Sequence, residues 1–258
     1  MRESRLTEIR TLLYQKKEVS IQELCDRMNV SVETIRRDLN RLESEGTIRK
    51  TYGGAIFVES QQMPNAMQDW DLRYARNIKE KTAIARLALN SIPDNCTLCL
   101  DSGTTLYCLA TMLNVKKNLT ILTNSLHIAT ELGRNSDHQV NCIGGTLKSK
   151  ELINVGLLAT NYLECFASID IAVVSTDGFS DDTGFSDHSL EMATLKRIML
   201  RKAKKRIALL DHSKFGCDAL FSTSSVSDMD VIVTDNQVPA DEIERLREKG
   251  STVLVAPV

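Results

Sequence analysis

The sequence predicts a two-domain chain, a small α+β unit followed by a larger α/β unit. Hydrophobic residues recur at helical spacing up to about residue 58, and beyond that short β-rich runs alternate with helical ones. A Gly53-Gly54 pair between two strand-like runs closes the first part, and a polar, aperiodic stretch containing Pro64 follows it. These features put the first unit at 1–58, a linker at 59–75 and the second unit at 76–258.

In the first unit, Leu6, Ile9, Leu12 and Leu13 form one apolar helical face, and Ile21, Leu24, Cys25 and Met28 a second. Ile35, Leu39 and Leu42 form a third. Ser20-x-x-Glu23 has the spacing of a capping box, Ser31 that of an N-cap, and Gly46 stands where a helix C′ residue belongs. Ile48–Tyr52 and Ala55–Val58 then read as a β-hairpin. The second and third helices are joined by the tight turn Asn29-Val30-Ser31, the spacing of a helix-turn-helix.

The second unit opens with a helix capped at Asn77-x-x-Glu80 and reaching about Ser91. Strands are predicted at Cys96–Leu100, Leu119–Thr123, Val140–Ile143, Asp170–Ser175, Arg206–Leu210, Val231–Thr234 and Thr252–Val255. Helices are predicted near Leu106–Leu113, Leu126–Gly133, Gly156–Phe166, Leu190–Ala203 and Ala240–Lys249. Such alternation predicts an open, mostly parallel sheet covered by helices.

The 258 residues are 42% hydrophobic and 26% charged, with 4 Pro and 12 Gly, which excludes a disordered, collagenous or low-complexity chain. Each unit is long enough to bury its own core. Net charge is −2 overall. It divides into +2 over residues 1–58, with 11 Lys+Arg against 9 Asp+Glu, and −4 over the rest. That balance permits nucleic-acid binding by the first unit without requiring it. Apolar runs such as Ile169–Val174 fall far short of the about 20 residues a membrane span needs, and residues 1–5 lead straight into an amphipathic helix rather than a signal peptide. A cytoplasmic chain with no membrane partner is expected. Seven scattered cysteines do not form a disulfide framework. Cys96 and Cys99, three apart on a strand, point to opposite faces, and the four histidines show no ligand spacing, so neither metal nor cofactor is expected.

On the third helix, Glu33, Arg37, Asn40 and Ser44 lie opposite the apolar seam, flanked by Arg36 and Arg41. Ser31 and Thr34 mark its N-terminal end, where Thr34 can reach a phosphate or a thymine methyl. Arg49, Lys50 and Tyr52 on the hairpin suit backbone or minor-groove contact as a wing. A small helical bundle with a solvated charged face has the same residue pattern.

In the second unit, Asp101-Ser102-Gly103-Thr104-Thr105 follows a strand and opens a helix. Backbone amides and hydroxyls converge there as an anion cradle, and the same run also reads as an ordinary capped βα turn. Thr123-Asn124-Ser125, Gly144-Gly145 and Asp211-His212-Ser213-Lys214-Phe215-Gly216 also follow strands, where ligands of open α/β sheets bind. Glu191, opening a helix in Ser189-Leu190-Glu191-Met192, is a candidate for contact with sugar hydroxyls.

The run from Ser20 to Gly46, with its Thr34-Ile35-Arg36-Arg37-Asp38-Leu39 core, and the later Tyr52-Gly53-Gly54-Ala55 resemble the signature of the DeoR family of bacterial transcriptional regulators. The resemblance extends over nearly the whole chain. It implies a winged helix-turn-helix that binds double-stranded operator DNA; one such unit contacts only a short half-site, so a homo-oligomer, a dimer or tetramer, is expected. It also implies an effector domain similar in fold to ribose-5-phosphate isomerase and the CoA-transferase superfamily. The function implied is that of a repressor of a sugar or related carbohydrate catabolic operon, released by a phosphorylated sugar or related metabolite. Carried over by motif, the effector residues are Asp101, Ser102, Gly103, Thr104, Thr105, Thr123, Asn124, Gly144, Gly145 and Lys214. Asp177 and Gly178, in a loop that departs from the family pattern, are placed at its sugar end. The alternatives are a sugar-phosphate isomerase, with Asp101 as base and Lys214 as electrophile, and a metal-responsive regulator.

Overall fold

The computed structural model describes residues 2–44, 48–57, 70–135 and 137–258. The chain separates into two compact units, Met1–Arg76 and Asn77–Val258.

The first unit contains α1 (Arg2–Lys16), β1 (Glu18–Ser20), α2 (Ile21–Met28), α3 (Val32–Ser44), β2 (Ile48–Lys50), β3 (Gly54–Phe57) and α4 (Trp70–Ala75). The three apolar faces read from the sequence meet in one core, with Leu6, Ile9, Leu13, Leu24, Ile35, Leu39 and Leu42 almost completely buried. The hairpin forms with Lys50 opposite Ala55, but β1 joins it to give the order β1-β3-β2. Three residues are too few to carry a period, so β1 was invisible in the sequence. Its closeness to β3 explains Gly54, where a Cβ would stand 2.2 Å from the Val19 carbonyl oxygen. Ser20 does cap α2, accepting from the Glu23 amide at 3.1 Å. The Glu23 carboxylate turns instead to Lys16, so the box is closed on one side. Gly46 lies outside the described residues, as does the linker from 59 to 69. Residues 70–75, assigned by sequence to that linker, are α4; it packs on α1, with Arg10 paired to Asp71.

The second unit contains α5 (Ile78–Leu89), β4 (Thr97–Leu100), α6 (Thr104–Ala110), β5 (Thr120–Thr123), α7 (Leu126–Asn135), β6 (Gln139–Cys142), β7 (Thr146–Lys148) and β8 (Ile153–Val155). There follow α8 (Leu157–Glu164), β9 (Ile169–Val174), β10 (Gly178–Ser180), β11 (Gly184–Asp187), α9 (Leu190–Lys202) and β12 (Ala203–Leu209). The last elements are β13 (Phe221–Ser224), β14 (Val231–Asp235), α10 (Ala240–Glu248) and β15 (Thr252–Ala256). The seven strands predicted from sequence build one parallel sheet in the order β15-β14-β12-β9-β4-β5-β6. From β4 the chain winds outward through β5 and β6, then returns to β9 and winds the other way. The order therefore reverses between β4 and β9, the kind of point where a crevice opens at the strand carboxyl ends. Two antiparallel additions, β7-β8 and β10-β11-β13, were not foreseen, their short strands being broken by glycine and polar residues where those of the parallel sheet are mostly apolar runs.

The cap predicted for α5 does not form. Asn77 adopts a left-handed conformation (φ 52°) and makes no capping bond. Its side chain donates to Asp211 at 2.9 Å, while Glu80 accepts from Gln237 at 2.7 Å. Tertiary partners have taken both polar groups. Cys96 and Cys99 are buried and unpaired, and burial pushes both thiols up, so they serve as small apolar residues. Among the described residues, no helix is long and apolar enough to cross a membrane.

Candidate functional site

In the first unit the α2–α3 turn is set by Asn29, left-handed at φ 50° and closing α2 through its amide to the Cys25 carbonyl. Ser31 then starts α3, its hydroxyl accepting from the Thr34 amide at 3.4 Å and lying 3.0 Å from the Thr34 hydroxyl. Ile35, Leu39 and Leu42 face the core, which leaves Glu33, Arg36, Arg37 and Asn40 exposed and Arg41 half-buried. The Ser44 side chain lies outside the described residues. Arg37 pairs with Glu33 at 3.3 Å, one turn away, an exposed contact that water largely screens.

The wing is tied to this helix. Lys50 donates from Nζ to Asn40 Oδ1 at 2.5 Å and from its amide to Glu43 at 2.8 Å, which holds the Glu43 carboxyl below its usual range. Arg49 and Tyr52 project beyond, Tyr52 wholly exposed beside the turn. The structure thus brings Asn40, Lys50 and the exposed face of α3 onto one surface. The sequence reading missed Asp38. It is 1% exposed and accepts from Arg5 Nε at 2.6 Å, joining α3 to α1. A carboxylate next to Leu39 and three residues from Ile35, on an otherwise apolar seam, was the available signal.

In the second unit, Asp101 follows β4 and Ser175 follows β9, on either side of the strand-order reversal. Asp101 is fully buried, and its Oδ2 accepts from the Ser175 amide at 3.2 Å. Lys196 of α9 lies 3.2 Å from the same oxygen and 2.5 Å from Asp187 Oδ1, and donates to the Ser175 carbonyl at 2.8 Å. One buried ammonium therefore serves two buried carboxylates. Burial pushes the Asp101 carboxyl up to about 6; Lys196 opposes this and the Asp187 charge adds to it. Burial works against the Lys196 charge as well, but Asp101, Asp187 and Asp177 outweigh it and hold the ammonium above the usual lysine range. Lys196, Asp187 and Ser175 were all missed. Lys196 shares the buried stripe Met192, Ala193, Met199 and Leu200, and a lysine at that spacing was the readable sign.

Ser102 and Gly103 line the same turn half-buried, with the Ser102 hydroxyl 3.4 Å from Asp101 Oδ1. Thr104 and Thr105 are buried in the first turn of α6. At Gly103 a Cβ would stand 2.5 Å from the Ser175 hydroxyl, so the β4 and β9 loops close on each other there. Asp177 accepts from the His188 amide at 3.1 Å. Burial raises its pKa, and Lys196, the His188 bond and Lys214 more than reverse that, leaving it below the usual range. Asp211 behaves alike: burial is outweighed by the Ser213 bond and by Lys214 and Lys81. Lys214 thus lies within electrostatic reach of both acids. Beside it, unforeseen from sequence, His212 Nδ1 sits 3.1 Å from the fully buried Asp235 carboxylate.

The remaining predicted residues lie further out or bind the framework. Thr123 accepts from the Ser125 amide at 3.2 Å. Asn124 donates to the Asn154 carbonyl at 3.1 Å, while its buried Oδ1 has no partner among the described residues. Gly144 and Gly145 are exposed, and a Cβ on Gly145 (φ 146°) would stand 2.5 Å from the Val155 carbonyl oxygen. Gly178 meets the Cys217 carbonyl oxygen in the same way, at 2.4 Å. Glu191 pairs with Lys148 at 2.9 Å on the surface. Among the described residues no three His, Cys, Asp or Glu side chains converge as a metal site.

Residues 5–61 match the family model of the DeoR-like helix-turn-helix domain, and residues 76–236 that of the DeoR C terminal sensor domain. The chain is 33% identical over 245 residues to the HTH-type transcriptional regulator GolR of Listeria innocua, covering 95% of each chain. It is 31% identical over 237 residues to the glycerol-3-phosphate regulon repressor of Escherichia coli, covering 92% of each. A solved ribose 5-phosphate isomerase A of Methanocaldococcus jannaschii superposes with a TM-score of 0.40 and 16% identity, over 54% of this chain and 55% of that one. Likeness at that level assigns no function.

Proposed function

The chain belongs to the DeoR family of helix-turn-helix transcriptional regulators, and from that we propose that it represses a sugar or related carbohydrate catabolic operon. In this reading it works in the cytoplasm as a homo-oligomer, and α3 enters the major groove of operator DNA. The observation that carries the reading is the division of α3: Ile35, Leu39 and Leu42 are buried while Arg36, Arg37 and Asn40 stand outward beside Lys50 of the wing. Ser31, Thr34, Arg41, Arg49 and Tyr52 supply further phosphate or base-edge contacts, and Glu33 meters the charge of Arg37.

The effector, in this reading, is a phosphorylated sugar held at the β4–β9 crevice. The Ser102–Thr105 turn and Lys214 meet its anionic group, and Asp177 faces its hydroxyls. The name of the Escherichia coli relative, a glycerol-3-phosphate regulon repressor, supports a phosphorylated effector. An isomerase is the weaker reading. Its base would be Asp101, whose Oδ2 is already engaged by the Ser175 amide and Lys196. The test is operator affinity of the full-length protein, measured on DNA upstream of its own gene across a panel of sugar phosphates. Binding that one phosphorylated sugar releases supports the proposal. Absence of specific DNA binding overturns the first half, and indifference to the whole panel the second. Light scattering of the free protein and its DNA complex tests the oligomer.

A further inference from the structure

A second cleft opens at the other end of the sensor unit, where α9, the early part of β12, β13 and the turn before β14 meet. Its volume is about 300 Å³, and Arg197, Arg201, Arg206, Thr223, Ser224 and Asp228 line it. It lies at the amino-terminal side of the parallel sheet: the Asp230 amide, just before β14, donates to the Arg206 carbonyl. The effector crevice lies at the carboxyl ends of the same sheet.

Three guanidinium groups face one carboxylate in this lining. The Asp228 carboxylate is turned back on its own loop, accepting from the Ser225 amide and hydroxyl at 2.8 Å each. Arg206 rests against Asp230 at 3.3 Å, and Arg201 against Glu164, which Lys202 also contacts. Arg197 donates to the Ser222 carbonyl and pairs with no carboxylate among the described residues. Two hydroxyls complete the wall. Thr223 is committed, donating to Asp187 Oδ2 at 2.6 Å. Ser224 Oγ is buried and has no hydrogen-bond partner among the described residues. A buried, unsatisfied hydroxyl is costly, and Ser224 shares this lining with three arginines, whose planar guanidinium groups suit the oxygens of a phosphate.

We propose that this cleft is a second anion site, taking a small, multiply charged phosphate-type anion that Arg197, Arg201 and Arg206 hold and that satisfies Ser224. The site stands on these residues alone and does not depend on the reading of the crevice.

The test is calorimetric titration of the full-length protein with sodium pyrophosphate at fixed ionic strength, in wild type and two sets of variants. Arg197→Met should weaken one binding component by about tenfold or more, and Ser224→Ala by about fivefold. Ser102→Ala/Thr105→Ala, in the other crevice, should leave that component intact. Pyrophosphate that fails to bind wild type overturns the proposal. So does binding untouched by Arg197→Met and Ser224→Ala, or binding abolished by the crevice variant. Should Arg197→Met fail to fold, the uncharged Ser224→Ala substitution decides.

Discussion

Arg5 Nε donates to Asp38 Oδ2 at 2.6 Å, so the first helix of the chain grips the buried side of the helix whose outer side carries Arg36 and Arg37. The two partners are unequal: the Asp38 side chain is 2% exposed and that of Arg5 19%. Removing Arg5 takes a charge-assisted hydrogen bond from a carboxylate that water cannot reach, whereas removing Asp38 leaves a guanidinium that can turn outward. Arg5→Met is therefore expected to cost about 3 kcal/mol, and more than Asp38→Asn. Urea unfolding of both variants checks the order; equal losses would contradict it.

On the outer face, Arg36→Ala and Arg37→Ala should weaken operator binding without unfolding the first unit. If the arginine holds a phosphate, its removal lowers the salt slope by about 1; if it reads a guanine, base discrimination falls by about 1–3 kcal/mol. Ile35→Ala or Leu39→Ala should instead unfold the unit, at about 2–5 kcal/mol each. Fluorescence anisotropy at several salt concentrations, with circular dichroism, separates the two outcomes.

The Lys196 cluster predicts a response to acid. Lys196→Met leaves Asp101 and Asp187 buried without their shared cation and is expected to cost about 3–5 kcal/mol at neutral pH. Protonating Asp101, which burial already pushes up, removes one of the stranded charges, so the deficit should shrink as pH falls. Urea midpoints of wild type and variant between neutral and acid pH give the comparison, and a deficit independent of pH would refute the charge account.

Asp101 alone gives a second profile. Its folded pKa, about 6, lies above its ordinary value of about 4, so the native state holds this proton more tightly than the unfolded chain. The stability this provides is complete below pH 4 and lost as pH rises through 6. Asp177 and Asp211, held low, act in the opposite sense, and theirs is lost on acidification. The difference between Asp101→Asn and wild type isolates the first effect: it should move in favour of the variant between about pH 4 and 6, then level off. A flat difference would mean that Asp101 titrates normally.

Lys214→Ala tests the proposed effector contact. A ligand shifts DNA binding only by its difference in affinity for the two states, so weakening the ligand silences the response and leaves α3 untouched. The variant should bind operator as wild type does and resist release. Identical release curves for both proteins would remove Lys214 from the site.

Period and turn chemistry made much of this legible. The three helical faces of the first unit were readable from their period, and the seven strands of the parallel sheet as short, mostly apolar runs alternating with helical ones. The outward set on α3 followed from the inward one, since a helix with one buried face leaves the other to solvent. Motif resemblance placed Asp101 and Lys214 at strand ends. What the sequence alone did not yield depends on distance in space. β1 is too short for a pattern, and the small antiparallel strands are broken by glycine and polar residues; all exist only through their pairing. Asn77 has the letter of a cap and the role of a tertiary donor to Asp211, 134 positions away in the chain. Asp187 and Ser175 were unremarkable in sequence, and Lys196 showed only as a lysine on an apolar stripe; folding removed Asp187 and Lys196 from water, and a buried charge must then find its opposite. Sequence determined which faces are apolar and hence the two units and the sheet; only the tertiary structure decided which charges are buried together, because desolvation strengthens a Coulomb pair according to where the folded chain puts it.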